Sequence, residues 1–260
     1  MNLQKKKICA VAGVFLIVIL GLIGYYKYDR TKHMAVETTA KQISSERTTD
    51  NQLSIKLQNE LFAQPYYNVK CSQFDELELK QNEKPNIVFL GDSITDFGCW
   101  DEIIDDDRVN VYNRGISGDT ALGVQKRLPA IAKLHPTKVF VLIGINNLAV
   151  AQTLDVAIDD YKAMVGEIQR TLPDSEIYLQ SILPINNTVY INEHITDNKE
   201  IVRYNTAIQQ IAADHGYSYI NLYDSFTDEN GKLNLSYSYD GCHLNVYGYQ
   251  LWKRLIQDYL

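Results

Sequence analysis

Ser93 is the first residue of this sequence whose setting suggests covalent chemistry. It lies in "GDSIT", residues 91–95, directly after the apolar run "NIVFL". The segment lacks the second glycine of the G-x-S-x-G elbow, because Thr95 stands there, and it lacks the G-K-[ST] of a phosphate-binding loop. Two readings remain open at this point. Either Asp92 or Ser93 caps a following helix, or the Ser93 hydroxyl acts as a nucleophile.

A histidine with a nearby acid stands close to the other end of the chain. Asp240 and His243 are three residues apart in "YDGCHLN". This spacing lets the carboxylate bind one imidazole nitrogen and leaves the other nitrogen free to take a proton. Many such pairs only decorate loops. No comparable acid accompanies the other histidines, which are His33, His135, His194 and His215.

Two further loops are rich in potential hydrogen-bond donors. "NRGISGDT", residues 113–120, holds two glycines whose turn can present backbone N–H groups to a negative charge. "GINNL", residues 144–148, offers asparagine amides, which are common donors to an oxyanion. The alternatives are a plain connection with Asp119 or Thr120 as helix cap, and an Asx turn at Asn146 and Asn147.

The elements that must position these residues alternate regularly. Short, β-branched apolar runs, typical of strands buried on both faces, lie at 86–91, 109–113, 138–144, 176–182 and 217–223. Helical patterns separate or follow them at 120–134, 156–172, 201–216, which ends at a plausible C′ glycine, and 246–260. This alternation predicts an α/β fold with a five-stranded parallel sheet and helices on both faces. The loops at the carboxyl ends of its strands then share one edge, where a nucleophile, a base with its orienting acid and oxyanion donors would meet.

The sequence resembles the SGNH (GDSL-type) hydrolases from about residue 84 to 260. The resemblance uses four blocks in order: "GDSIT", "NRGISGDT", "GINN" and "DGCHLN". It implies a flavodoxin-like, three-layer α/β/α sandwich and ester hydrolysis without a metal or organic cofactor. It also implies that Ser93 is the nucleophile, His243 the base and Asp240 its orienting residue, with the oxyanion held by the Ser93 and Gly118 N–H groups and the Asn146 side chain. Many members have aspartate where this sequence has Asn147, but the acetylhydrolases of platelet-activating factor also have asparagine, so we expect activity.

The N-terminal residues differ in character from the rest of the 260-residue chain. After the basic residues 1–7, residues 8–26 are uncharged and apolar, which suits a transmembrane signal-anchor better than a cleaved signal peptide. Residues 27–50 form a polar linker, 51–83 a helical lead-in containing the turn "FAQPYYNV", and 84–260 the hydrolase domain. A short basic N-terminus favours a catalytic domain outside the cytoplasm, although secretion after signal cleavage is the alternative.

Net charge and cysteine spacing argue against two kinds of ligand, nucleic acid and zinc. The net charge of −7 argues against nucleic acid, and the four cysteines have no zinc-site spacing. Cys99 and Cys242 should come near the site, where a disulfide is conceivable, but two free thiols are the favoured expectation. Oligomeric state is not predicted.

The expected activity is hydrolysis of a short-chain ester, with an O-acetyl group on an envelope or host glycan as the first candidate. The alternatives are a lysophospholipase or thioesterase, an extracytoplasmic O-acetyltransferase and a non-catalytic glycan-binding module. The complete residue set argues against the last, since a binding module needs no acid and histidine behind a serine.

Overall fold

A five-stranded, fully parallel sheet organises the protein in a computed structural model that describes residues 56, 59–77, 82–149, 153–192, 195 and 197–260. The strands are β1 (Asn86–Gly91), β2 (Asn110–Gly115), β3 (Lys138–Leu142), β4 (Glu176–Gln180) and β5 (Ser218–Ile220). Their spatial order is β2-β1-β3-β4-β5, the flavodoxin-like order. The predicted parallel α/β fold is therefore confirmed. The order reverses between β1 and β3, so the crevice at this sheet's carboxyl edge lies between the loops that follow these two strands.

The ends of several strands differ from the apolar runs in the sequence. β2 continues to Gly115 because residues 113–115 pair in register with 89–91 of β1. β3 stops at Leu142, and Gly144 then turns the chain with a φ of +135°. Ile143 is fully buried although it lies outside the strand. Apolar runs therefore overestimated the length of β3, β4 and β5, and the edge strands β2 and β5 are only partly buried.

Helices cover both faces of the sheet. In chain order they are α1 (Pro65–Glu76), α2 (Ser93–Asp96), α3 (Trp100–Ile104), α4 (Ala121–Ala132), α5 (Ile145–Ala149), α6 (Leu154–Thr171), α7 (Lys199–His215), α8 (Tyr223–Phe226) and α9 (Val246–Ile256), with 3₁₀ turns at Leu235–Tyr237 and Gln257–Tyr259. Gly216 ends α7 in the left-handed conformation, as its predicted role as C′ residue requires. The segment "FAQPYYNV" is mostly helix rather than turn, because Pro65 begins α1 at a position where proline is favourable.

Alternate residues of β1 face two separate hydrophobic cores. Val88 and Leu90 pack with the apolar faces of α4, α6 and α7. Ile87 and Phe89 point the other way, toward α3 and α9, where Phe89 stacks on Trp100 with ring centroids 3.8 Å apart. The result is the predicted three-layer α/β/α arrangement. The predicted membrane segment, residues 8–26, lies outside the described residues, and among those described no helix is long and apolar enough to cross a membrane.

The end of β2 lies against the short helix that begins with Ser93. A Cβ atom on Gly115 would lie 2.2 Å from the Asp96 nitrogen and 2.6 Å from its Cα. These are backbone atoms, so no side-chain rotation can make room. The side chain of Asn113 adds to this contact by donating hydrogen bonds to the carbonyls of residues 95, 96 and 98 at 2.9–3.0 Å. β2 therefore sets the position of the Ser93 helix by direct contact between backbones.

Alanine at Gly115 should lower the free energy of unfolding by ~1–3 kcal/mol, because the added methyl forces the backbones apart. Gly166 offers the matched control, since it lies inside α6 and a Cβ added there would meet no atom within 4 Å. Gly166→Ala should raise stability by ~0.5–1 kcal/mol, as a helix-interior glycine is replaced. Urea unfolding of both variants measures the two signs. Equal effects would contradict the close approach at Gly115.

Candidate active site

Ser93 lies at the junction of β1 and α2. Asp92 is the N-cap residue and accepts a hydrogen bond from the Ile94 N–H through Oδ1 at 3.0 Å. Ser93 is thereby the first residue of the helix, at the carboxyl edge of the sheet. The capping interpretation is thus confirmed for Asp92, and the role of Ser93 as nucleophile stays a prediction.

The structure brings Ser93, His243 and Asp240 together although 150 residues separate the serine from the histidine. Ser93 Oγ lies 3.0 Å from His243 Nε2, and His243 Nδ1 lies 2.7 Å from Asp240 Oδ2. Burial raises the pKa of Asp240, but hydrogen bonds from the His243 ring and from the backbone outweigh it, so its pKa is lowered. An ionised carboxylate only accepts, so Nδ1 carries the proton and Nε2 is free to accept from the Ser93 hydroxyl.

The loop that carries Asp240 and His243 is held by groups that the sequence patterns did not reveal. Asp240 Oδ1 accepts from the N–H groups of Cys242 and His243 at 2.9 and 2.8 Å. Ser238 Oγ donates to the His243 carbonyl at 2.6 Å and accepts from the Gly241 N–H at 2.9 Å. Gly241 has a φ of +83°, which explains the glycine in "DGCH". The glycine between Asp240 and His243 was the sequence signal that could have predicted this turn.

The predicted oxyanion donors lie on the loops that follow β1, β2 and β3. Gly118 has a φ of +82°, as a tight turn that presents N–H groups requires. Within the described residues, neither the Ser93 N–H nor the Gly118 N–H donates a hydrogen bond to another protein group. Asn146 Nδ2 donates one hydrogen bond to the Asp119 carbonyl at 3.0 Å. Because an amide nitrogen has two hydrogens, this contact orients Asn146 and leaves one donor available.

Asn147 has a structural role next to Asn146. Its side chain is fully buried, and its Oδ1 accepts from the Ala121 N–H, at the start of α4, at 3.2 Å. A carboxylate oxygen of aspartate could accept the same hydrogen bond. The asparagine at this position therefore preserves the contact that joins the loop after β3 to the helix after the Gly118 loop.

A buried cluster of charges lies beneath this site. Arg127 Nε donates to Asp119 Oδ2 at 2.8 Å, and its other nitrogens donate to the carbonyls of Arg114 and Gly91 at 2.6 and 2.9 Å. Burial raises the pKa of Asp92 to about 7, aided by the nearby charge of Asp119 and opposed by the Ile94 hydrogen bond and by Arg127. Asp92 Oδ2 has no hydrogen-bond partner among the described residues. The sequence indicated Asp119 only as a possible helix cap. It gave no indication of Arg127, because an isolated arginine inside a helix belongs to no recognisable motif.

Cys99 and Cys242 are free thiols, as favoured from the sequence. Cys99 is exposed and Cys242 is buried. Burial, with the nearby charges of Asp92 and Asp240, raises the pKa of Cys242 to about 12. The Cys242 sulfur is therefore a neutral thiol that packs in the core beside the histidine loop.

Comparisons with known proteins place this site in a family. Residues 89–251, which contain all the sequence blocks above, match the model of the GDSL-like Lipase/Acylhydrolase family. Since this match covers more than half of the chain, the protein is an enzyme of the acylhydrolase and esterase class. It belongs to the GDSL-like lipase/acylhydrolase family. A comparison with curated protein sequences finds no match.

Three solved structures match this chain over almost their entire own length. A Streptococcus pneumoniae protein, provisionally named a platelet activating factor, is 28% identical with a TM-score of 0.68 and covers 80% of this chain and 98% of its own. A GDSL-like lipase from Bacteroides thetaiotaomicron is 21% identical, with a TM-score of 0.60 and coverage of 74% and 96%. An acetyl xylan esterase is 20% identical, with a TM-score of 0.57 and coverage of 67% and 99%. The last two similarities show the shared fold.

The raised pKa of Asp92 predicts a pH dependence of stability. Between about pH 4 and 7 the folded protein holds a proton that the unfolded chain has released, so rising pH favours unfolding. This contribution should approach ~1.4 kcal/mol per pH unit. Asp92→Asn removes it, so the stability of the variant relative to wild type should increase between pH 5 and 7. Urea unfolding at both pH values measures this, and a difference independent of pH would contradict the raised pKa.

Proposed function

We propose that the protein is a serine esterase that hydrolyses short-chain acyl esters, with O-acetyl groups on glycans as the preferred substrates. The observation that carries the proposal is the continuous chain of contacts from Ser93 Oγ through His243 to Asp240. A serine bonded to a histidine, which is oriented by a carboxylate, is the arrangement that acyl transfer requires.

The mechanism follows from these contacts. His243 Nε2 accepts the Ser93 proton as Oγ attacks the ester carbonyl, and the carbonyl electron pair moves onto its oxygen. The N–H groups of Ser93 and Gly118 and the Asn146 amide stabilise this oxyanion, and loss of one such donor typically costs ~10²–10³ in kcat. His243 then protonates the leaving alcohol, which departs as the carbonyl re-forms. Water repeats the sequence on the acyl-enzyme and regenerates Ser93.

A groove next to His243 supports a glycan as the leaving group. It has a volume of about 550 Å³, and its lining includes Phe97, Tyr239 and residues of α3 and α9. The Phe97 ring centroid lies 5.1 Å from that of His243. Because His243 protonates the leaving oxygen, the alcohol part of the substrate must lie on the histidine side of Ser93. The groove adjoins His243 through its lining residue Phe97, so we assign the alcohol part of the substrate to it.

The lining of this groove favours a hydroxyl-rich group over a lipid chain. Phe97 and Tyr239 are 52% and 72% exposed, so their rings offer flat apolar surfaces to a sugar ring. Four other lining residues, Glu102, Asp105, Gln250 and Lys253, add hydrogen-bonding groups beside apolar residues such as Ile103 and Val246. Such a mixture of aromatic faces and polar groups is suited to orienting a small polar ligand. The fold shared with an acetyl xylan esterase agrees with this choice.

The proposal includes a location outside the cytoplasm. Residues 8–26 are long and apolar enough to anchor the chain, and residues 27–50 would separate the anchor from the catalytic domain. A tethered esterase in this position would meet polymeric envelope or host glycans rather than cytoplasmic metabolites.

The catalytic assignment is tested with nitrophenyl esters of increasing acyl length and the variants Ser93→Ala and Asp240→Asn. Ser93→Ala should reduce kcat by at least ~10³-fold, because the nucleophile is lost. Asp240→Asn should reduce it by ~10²–10⁴-fold, since the imidazole loses its orienting charge. A steep fall in kcat/KM beyond acetyl would support deacetylation, whereas a rise with chain length would favour a lysophospholipase.

Equal rates for wild type and Ser93→Ala would refute the catalytic assignment. Acetylated acceptor sugar that forms at the expense of free acetate would show transfer instead of hydrolysis. In the full-length chain, activity that remains soluble after membranes are sedimented would refute the anchor.

The groove assignment is tested with Tyr239→Ala. Its KM for an acetylated oligosaccharide should rise by ~10-fold, because one exposed aromatic contact is worth about 1 kcal/mol or slightly more. Hydrolysis of ethyl acetate, whose alcohol is too short to reach the groove, should change little. Tyr247 is also a well-exposed tyrosine, at 63% against 72% for Tyr239, and it does not line the groove, so Tyr247→Ala is the matched control. Unchanged KM for the oligosaccharide in Tyr239→Ala would place the glycan elsewhere.

A further inference from the structure

Asp96 joins three segments around the candidate active site. It is the last residue of the helix that begins with Ser93, and its side chain is only 4% exposed. Its Oδ2 accepts hydrogen bonds from the backbone N–H and the Oγ of Ser117, at 3.0 and 2.9 Å. Ser117 directly precedes Gly118, so this carboxylate ties the serine helix to the glycine loop that would bind the oxyanion.

The other partners of Asp96 come from α1. Tyr66 donates its hydroxyl to Asp96 Oδ2 at 2.5 Å, and Lys70 Nζ lies 2.7 Å from Oδ1. Burial alone would raise the pKa of Asp96, but the hydrogen bonds from Lys70, Tyr66 and Ser117 and the charge of Lys70 outweigh it, so its pKa is lowered. The carboxylate is therefore ionised, and Lys70 supplies its counter-charge in a largely buried setting.

The segment just before α1 reaches the same loop. The Cδ1 atom of Leu61 lies 3.2 Å from the position that a Cβ on Gly118 would occupy. Leu61 and Phe62 pack against a small apolar cluster formed by Tyr67, Phe74, Ile116 and Ala130. Ile116 belongs to the loop after β2, so apolar packing and the Asp96 bonds press the same loop from the same side.

We propose that residues 61–70, through Tyr66, Lys70 and Leu61, are positioning residues that hold the Gly118 N–H at a fixed place relative to Ser93. These residues precede the region that matches the family model, which begins at residue 89. The inference rests on the proposed function, because it assigns the oxyanion to the Gly118 loop. An oxyanion donor must stay near 3 Å from the developing charge, and misplacement by about 1 Å can cost ~100-fold in rate. Gly118 has no side chain of its own to fix the loop, so the fixing contacts must come from its neighbours.

The test compares Lys70→Met with Lys133→Met in the full-length chain. Lys133 Nζ lies 2.8 Å from Asp75 Oδ1, so it also joins α1 to the domain, but at α4 and away from the Gly118 loop. Lys70→Met should lower kcat for nitrophenyl acetate by ~10–100-fold. KM should change by less than about twofold, because the lost interaction forms only in the transition state. Lys133→Met should leave both constants near wild type.

Hydrogen exchange gives a readout that does not depend on catalysis. The hydrogen-bonded backbone amides of Ile116, Ser117 and Asp119 should exchange faster in Lys70→Met and at the wild-type rate in Lys133→Met. Tyr66→Phe deletes one hydroxyl and keeps the fold, so it should show smaller changes in both exchange and kcat. These graded effects would support positioning by α1.

Three outcomes separate the possible failures. Unchanged exchange in Lys70→Met would overturn the proposal whatever the activity. Faster exchange with wild-type kcat, or equal losses in Lys133→Met, would also overturn it, since the contact would then serve only to dock α1. Activity that persists in Ser93→Ala would instead refute the proposed function, and the exchange data would still report on the contact itself.

Discussion

The buried guanidinium of Arg127 is the interaction on which the rest of the site depends. It donates to the carbonyls of Gly91 and Arg114, near the ends of β1 and β2, and to the carboxylate of Asp119 beyond Gly118. The end of β1 and both ends of the block "NRGISGDT" therefore meet on one side chain. Removal of one partner from such a buried pair leaves a charge without compensation, which typically costs ~3–5 kcal/mol. The end of β1, two residues before Ser93, and the glycine loop are therefore both attached to this group.

The other half of the site is organised almost independently. Asp240 orients His243 from within a single loop, and Ser238 and Gly241 shape that loop. This loop approaches Ser93 through the contact of its Oγ with His243 Nε2 at 3.0 Å. In the proposed mechanism this division has a chemical use, since the base moves a proton twice in each cycle while the oxyanion donors remain still. Rigid attachment of the donors to buried charges and a more exposed base loop meet both requirements.

α1 adds a second layer of support to the rigid half. Lys70 of α1 binds the carboxylate of Asp96, just as Arg127 of α4 binds the carboxylate of Asp119. Both contacts use a cation to hold a carboxylate that in turn holds the loop around Gly118. The family match covers the sheet and its loops but not α1. α1 lies between the N-terminal residues and the region that matches the family model. The contact between α1 and Asp96 is therefore made from outside that region.

The sequence by itself determined the class of fold and the chemical identity of the site. Continuous apolar runs such as "NIVFLG", which alternate with helical patterns, predicted a parallel sheet, because strands buried on both faces are apolar throughout. The resemblance of four ordered blocks to a known family implied the roles of Ser93, Gly118, Asn146, Asp240 and His243, and these roles stay predictions. Gly241 and Gly216 could be understood from turns that require a positive φ.

Only the tertiary structure decided which residues hold the site in place. Arg127, Asp96, Tyr66 and Lys70 stand in ordinary helical sequence, and their partners are distant along the chain. Single long-range hydrogen bonds leave no periodic pattern, so no spacing could predict them. The true ends of β3 to β5 were hidden for a related reason, because apolar composition reports burial and Ile143 remains buried after the strand has ended. The candidate reactive residues therefore lie in short motifs that the sequence shows, whereas the residues that position them make contacts that exist only once the chain has folded.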